Sequence, residues 1–190
     1  MTEHLDLEDL LVAAELVLHG PPTVRDIGIL EAAVARTRAS VFGEDAYPDL
    51  DSKAAALLHS IVTGHALVDG NKRLGWVSVR LFYRLNGKDL RIPIEDAFRI
   101  VMSIADGSVR DVWVIGDSLR PWVEKYDETQ GPEPNVVSST GSAKRHEPAA
   151  NEEAGNGRGA HQPRGRTAAT ANSGVTAKLS QSRVILRLRS

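Results

Sequence analysis

Apolar residues recur at intervals of three and four from Leu7 to Val123 and then nearly disappear, so residues 138–174 contain no Val, Ile, Leu, Met, Phe, Tyr or Trp. The spacing predicts one helical face from Leu7, Leu10, Leu11, Ala14, Val17 and Leu18, and a second from Ile27, Leu30, Ala33 and Val34 behind Asp26 as N-cap. A third helix is expected to start near Ser52, with Ala54, Leu57, Leu58, Ile61 and Val62 inward, and a fourth near Asn71 or Lys72, with Leu74, Val77, Leu81, Phe82 and Leu85 inward. Ala97, Ile100, Val101 and Ile104 outline a fifth. Val112, Trp113, Gly116, Leu119 and Val123 outline a sixth, opened by a capping box of Ser108 and Asp111 and shortened or kinked by Pro121. The breaks are chemical: Gly20-Pro21-Pro22, Asn86-Gly87, Pro93 and Asp106-Gly107, with residues 43–51 read as an acidic loop. Strand patterns are almost absent. The expected fold is therefore all-α, a compact bundle of about six helices.

All nine aromatic residues also precede residue 127, which places the whole core in residues 1–127. Residues 128–190, rich in Gly, Ala, Ser, Pro and Asn, cannot bury enough apolar surface to offset their ordering entropy and are expected to be a disordered tail. Charge divides the same way: 14 basic minus 20 acidic side chains gives −6 up to Asp127, and 9 minus 5 gives +4 beyond it. Residues 183–189, Arg-Val-Ile-Leu-Arg-Leu-Arg, read either as a solvated tail end or as a patch for a partner or an anionic surface. Without cysteine there is no disulfide framework, thiolate metal site or cysteine nucleophile. No apolar run approaches the ~20 residues of a membrane span, and the N-terminus lacks a secretory pattern, so the expectation is a soluble, cytoplasmic protein. The acidic first part has no basic stripe, which argues against nucleic acid as a partner.

One segment carries chemistry. Between the third and fourth helices runs His65-Ala-Leu-Val-Asp69-Gly70-Asn71-Lys72-Arg73. If a helix opens at Asn71 or Lys72, the amides around Asp69, Gly70 and Asn71 sit at its N-terminus, where phosphate oxygens bind well. Gly70 leaves their approach open, and Lys72 and Arg73 add positive charge. Asp69 suits a magnesium ion shared with phosphate, and His65 suits a base for a hydroxyl proton. Taken singly, each residue has a plainer reading: a capping histidine, an Asp-Gly-Asn turn, a solvated cation pair. The run is not a P-loop, and no His-Glu-x-x-His occurs. His59 reads as a surface or partly buried helix residue, while His4, His19, His146 and His161 carry no signal.

Taken together at this spacing, the residues resemble the signature of the Fic/Doc (Fido) superfamily, and more closely its death-on-curing, or Doc, toxins. Doc proteins run close to His-x-Phe-x-Asp-Ala-Asn-Lys-Arg, and Fic adenylyltransferases favour His-Pro-Phe-x-Asp/Glu-Gly-Asn-Gly-Arg. Here Lys72 follows the Doc pattern and Gly70 the Fic pattern. Leu7-Glu-Asp-Leu10, Val24-Arg-Asp-Ile-Gly-Ile-Leu-Glu31 and Leu85-Asn-Gly-Lys88 extend the likeness from about Leu5 to Val123, leaving the tail outside it.

The resemblance implies a Fido helical fold with His65 as catalytic base, Asp69 as magnesium ligand, and Gly70, Asn71, Lys72 and Arg73 as the turn and contacts for ATP phosphates. It further implies kinase-like transfer of the terminal phosphate of Mg-ATP to a hydroxyl of elongation factor Tu, which stops translation, and a neighbouring Phd-type antitoxin as partner. The chain departs from the pattern at Leu67 in place of Phe, at Trp76 where Fic enzymes have a second Arg, and at Val77 where Doc is polar. Two alternatives accompany this reading: AMP transfer to a protein hydroxyl, and a non-catalytic antitoxin-binding or scaffold module. Self-restraining Fic enzymes carry a Glu followed by Gly or Asn that pairs with the motif arginine; no Glu in this sequence is followed by either.

Overall fold

A computed structural model describes residues 1–126. The expected disorder of 128–190, and the segment at 183–189, lie outside the described residues. Within them the order is α1 (Leu7–Leu18), α2 (Ile27–Arg36), β1 (Ser40–Val41), β2 (Glu44–Asp45), α3 (Leu50–Gly64), α4 (Asn71–Leu85), β3 (Lys88–Leu90), α5 (Ile94–Ala105) and α6 (Val112–Leu119). A 3-10 turn (Arg120–Trp122) and β4 (Val123–Lys125) follow. The chain is thus helical, as its periodicity requires, with two short antiparallel ribbons.

Aspartates open four of the six helices. Asp26, Asp49 and Asp111 each accept a backbone N–H from the first turn of α2, α3 and α6. At α1, Asp6 and Asp9 exchange backbone-to-carboxylate bonds in a reciprocal capping box. Each carboxylate satisfies a helical amide that would otherwise lack a partner and lies at the positive end of the helix dipole. Two details differ from expectation. Helix α3 begins at Leu50 because Asp49 caps it, two residues ahead of Ser52. Asp111 caps α6, whereas Ser108 gives its N–H to Asp106 and takes no part.

Helix α3 forms the middle of the bundle and packs against α2, α4, α5 and α6. Ala54, Ala55, Ala56, Leu57, Leu58, Ile61 and Val62 are all buried, so it is apolar over much more than one stripe. Where α4 crosses it, a Cβ on Gly75 would fall 2.8 Å from Val62 Cγ2 and 3.3 Å from Leu58 Cδ1, so the two backbones approach only because position 75 is glycine. Val112, Ile115, Gly116 and Leu119 point inward from α6, and Trp113 lies on its flank, half exposed. Its expected inward place is taken by Ile115, one turn after Val112.

Between α2 and α3, part of the expected loop is a hairpin pairing Ser40 with Asp45 and Val41 with Glu44. Phe42 and Gly43 both have positive φ, 54° and 87°, as a two-residue hairpin turn demands. The buried Lys53 ammonium holds this hairpin by donating to Asp45 Oδ2 at 2.7 Å. The second ribbon, β3 with β4, returns the chain to the end of α4. No helix among the described residues is long and apolar enough to cross a membrane.

Candidate active site

The predicted residues fall on one connection, from the end of α3 to the first turn of α4. Helix α3 stops at Gly64, and His65 follows as its C-cap in the left-handed region, φ 53°, with its side chain exposed. The chain then dips inward. Ala66 and Leu67 are fully buried, so Leu67 provides the inward anchor expected of the residue two places after the histidine. Burial of a leucine of this kind stabilises by about 1.5–3 kcal/mol.

Two sets of hydrogen bonds fix this connection. On one side lies the segment after Pro21-Pro22: Val24 bridges Leu67, Arg25 and Asp26 donate N–H groups to the Ala66 carbonyl at 2.8 and 3.2 Å, and the Val68 N–H reaches the Thr23 carbonyl at 3.0 Å. On the other, Asn71 closes a clasp on Leu67: Oδ1 accepts the Leu67 N–H and Nδ2 donates to the Leu67 carbonyl, both at 2.8 Å. The Asn71 side-chain amide is therefore occupied in shaping the connection, which leaves only its backbone N–H for any anion. Sequence reading missed the Thr23–Asp26 brace. The extended bias that follows two prolines was its signal, but nothing local told which segment it would pair with.

Gly70 turns the chain into α4 with φ +92° and no side-chain cap. A Cβ there would lie 2.5 Å from Leu18 Cδ2, so glycine is favoured both by backbone handedness and by the packing of α1. The result is a helix N-terminus whose first amides lack a side-chain acceptor and lie at the positive end of the dipole, an arrangement that suits an oxyanion. Lys72 and Arg73 stand exposed on that first turn. Asp69 is exposed too and accepts Arg73 Nη2 at 2.8 Å. Trp76 and Val77 are half buried one turn further on and pack against the core. An imidazole, a carboxylate and two cations are thus exposed along one connection that ends in a helix start without a side-chain cap.

This helical frame and this motif define a Fic/Doc-type protein, and the chain belongs to that family: the Fic/DOC family profile matches residues 4–83. It is similar to the protein named Toxin Doc of Mycolicibacterium smegmatis, with 54% identity over 90 residues, 47% of this chain and 69% of that relative.

Proposed function

We propose that this chain is a Doc-type toxin that transfers the terminal phosphate of ATP to a hydroxyl of a translation factor, elongation factor Tu by family resemblance, and so arrests growth. The observation that carries the proposal is the uncapped start of α4 behind a positive-φ glycine, with Lys72 and Arg73 on its first turn and His65 exposed at the end of α3. Similarity to a protein named Toxin Doc supports the toxin reading. A separate Phd-type antitoxin is the partner that such a toxin requires.

The chemistry follows from the residues. The α4 amides and the two cations hold the phosphate chain of ATP, so that most of the rate gain comes from position and charge. His65 accepts the proton of the attacking hydroxyl as its oxygen bonds to the terminal phosphorus, while the bond to the bridging oxygen breaks and ADP departs. Among the described residues no three His, Asp or Glu side chains gather into a metal cage. Magnesium commonly uses one or two carboxylates and takes its other ligands from phosphate and water, so the lone exposed Asp69 fits it. Bound there, the ion would offset negative charge on the phosphates. Arg73, now on Asp69, then turns to a phosphate oxygen; an exposed pair of this kind is worth at most about 1 kcal/mol, so the exchange costs little.

The test is to incubate the purified chain with ATP, magnesium and elongation factor Tu and weigh the factor by mass spectrometry. One added phosphate is expected. An added AMP would move the protein to the adenylyl-transferring branch, and no addition, with ATP still bound, to a non-catalytic module. His65→Ala is expected to lower the transfer rate by about 10²-fold or more and to relieve growth arrest.

A further inference from the structure

Away from the motif, α2 and α3 bring together hydrogen-bond donors that lack an acceptor. Arg36, half buried in the last turn of α2, donates from Nε to the Tyr47 hydroxyl at 2.8 Å and from Nη1 to Ser60 Oγ at 3.0 Å, and Nη1 faces His59 Nδ1 at 3.3 Å. A guanidinium only donates, so His59 Nδ1 must accept, which leaves the ring neutral with its proton on Nε2. Ser60 gives its own proton to the Ala56 carbonyl at 2.8 Å. The Tyr47 oxygen is already an acceptor, so its O–H points elsewhere. What remains is the Nη2 of Arg36, the Tyr47 O–H and the His59 Nε2–H, none of which meets an acceptor among the described residues.

Charge is unbalanced in the same sense. Lys53, Arg84 and Arg120 each pair with an aspartate, whereas no described carboxylate pairs with Arg36. Its guanidinium lies 5.5 Å from the Tyr47 ring centre, and the ring of Trp113, half exposed, is centred 6.4 Å from that of Tyr47. Burial, then the nearby Arg36 charge, hold the His59 imidazole below its ordinary pKa. The cluster presents surplus donors and one uncompensated positive charge beside an apolar rim.

We propose that Arg36, Tyr47 and His59 form a subsite for a carboxylate of a polypeptide partner, an Asp or Glu side chain whose neighbouring residue packs on Trp113. An ionised carboxylate supplies acceptors only, matching the three leftover donor groups. One guanidinium neutralises one carboxylate but leaves a phosphate dianion in excess, and the tryptophan rim gives a peptide something that a free ion cannot use. The subsite stands whether or not the motif transfers phosphate, since it shares no residue with it.

The experiment uses the full chain with labelled histidines, following the His59 ring by NMR, its signal assigned by its loss in His59→Gln. The probes are a blocked Ala-Glu-Ala tripeptide, its Ala-Gln-Ala counterpart and inorganic phosphate. The Glu peptide is expected to raise the His59 titration midpoint, because a bound anion favours the imidazolium, and to shift the Trp113 indole signal. The Gln peptide should do neither, and Arg36→Gln should abolish the response. Tyr47→Phe keeps the ring but removes one donor and should weaken Kd several-fold; it decides the matter if Arg36→Gln does not fold. A silent His59 up to the solubility limit of the Glu peptide, or an equal response to the Gln peptide, overturns the proposal. A response to phosphate as strong as that to the Glu peptide does so too, because it marks a site for an adventitious ion only.

Discussion

At the scale of single residues, two histidines hold a backbone conformation that β-carbon sterics disfavour. His19 and His65 cap α1 and α3 in the left-handed region, with φ 56° and 53°. Glycine is the usual residue at such a place, and a side chain there costs roughly 1–2 kcal/mol. Replacing either by glycine should relieve that cost, less about 0.5–1 kcal/mol for the greater freedom of an unfolded glycine. His19→Gly and His65→Gly are therefore each expected to raise the melting temperature by a few degrees. Only His65→Gly should also abolish transfer, because only there is the strained cap the proposed base. Thermal scans and transfer assays on both variants separate the effects, and equal loss of activity in the two would remove the special standing of His65. The sequence showed that His65 follows a helix, from Gly64 beside it, but handedness is set by the turn as a whole and could not be read from one residue. His4, which carried no sequence signal, joins the N-terminus to α2 by donating from Nδ1 to Thr37 Oγ1, since the Thr37 hydroxyl already gives its proton to the Val34 carbonyl.

Among the elements, α4 ties site to core: its first turn carries the exposed Lys72 and Arg73, and beyond it one face is buried against α1, α3 and α5. Ser78 sits on that buried side, fully enclosed, with no hydrogen-bond partner for Oγ among the described residues. An unsatisfied buried hydroxyl costs about 1–3 kcal/mol, and alanine is the better helix former. Ser78→Ala is thus expected to stabilise the protein by about 1 kcal/mol, read as a higher urea midpoint at unchanged slope. A lower midpoint would mean that the hydroxyl has a partner, such as a bound water. The helices themselves were legible because a period of three to four with glycine and proline breaks is a local property, and the motif was legible because its residues are contiguous. Pairings across the chain were not: the bridge from Val24 to Leu67, the Lys53 to Asp45 tie, and the net that joins Tyr83 and Arg120 to Asp51 each link positions whose neighbours give no sign of the other. The Tyr83 hydroxyl, buried and bonded to Asp51, is held strongly in its neutral form for that reason.

For the whole molecule, stability and restraint each depend on groups spread over several elements. His4 and His59 both have pKa values lowered from 6.5, chiefly by burial and then by nearby cations, Arg38 and Lys53 for His4 and Arg36 for His59. Below pH 6.5 the unfolded chain therefore binds more protons at these rings than the folded one, so this stabilising share is full above 6.5 and declines as pH falls toward the folded values. The melting temperature is expected to drop on going from pH 7 to 5.5, and the double change His4→Gln, His59→Gln should flatten that slope. Restraint is the larger question for a domain read as a toxin. The motif arginine, Arg73, pairs only with Asp69 among the described residues, and no Glu in the sequence is followed by Gly or Asn to supply a self-inhibiting partner. On the toxin reading proposed above, control is expected from a separate chain that covers the start of α4 or docks nearby as it folds. Such a partner binds the folded state and so raises its melting temperature by mass action. Purified alone, the full chain is expected to modify elongation factor Tu at once when given Mg-ATP, and to lose that activity when its antitoxin is added. A chain that binds Mg-ATP but stays inactive until part of its own sequence is removed would place the inhibitor inside the molecule and overturn external control.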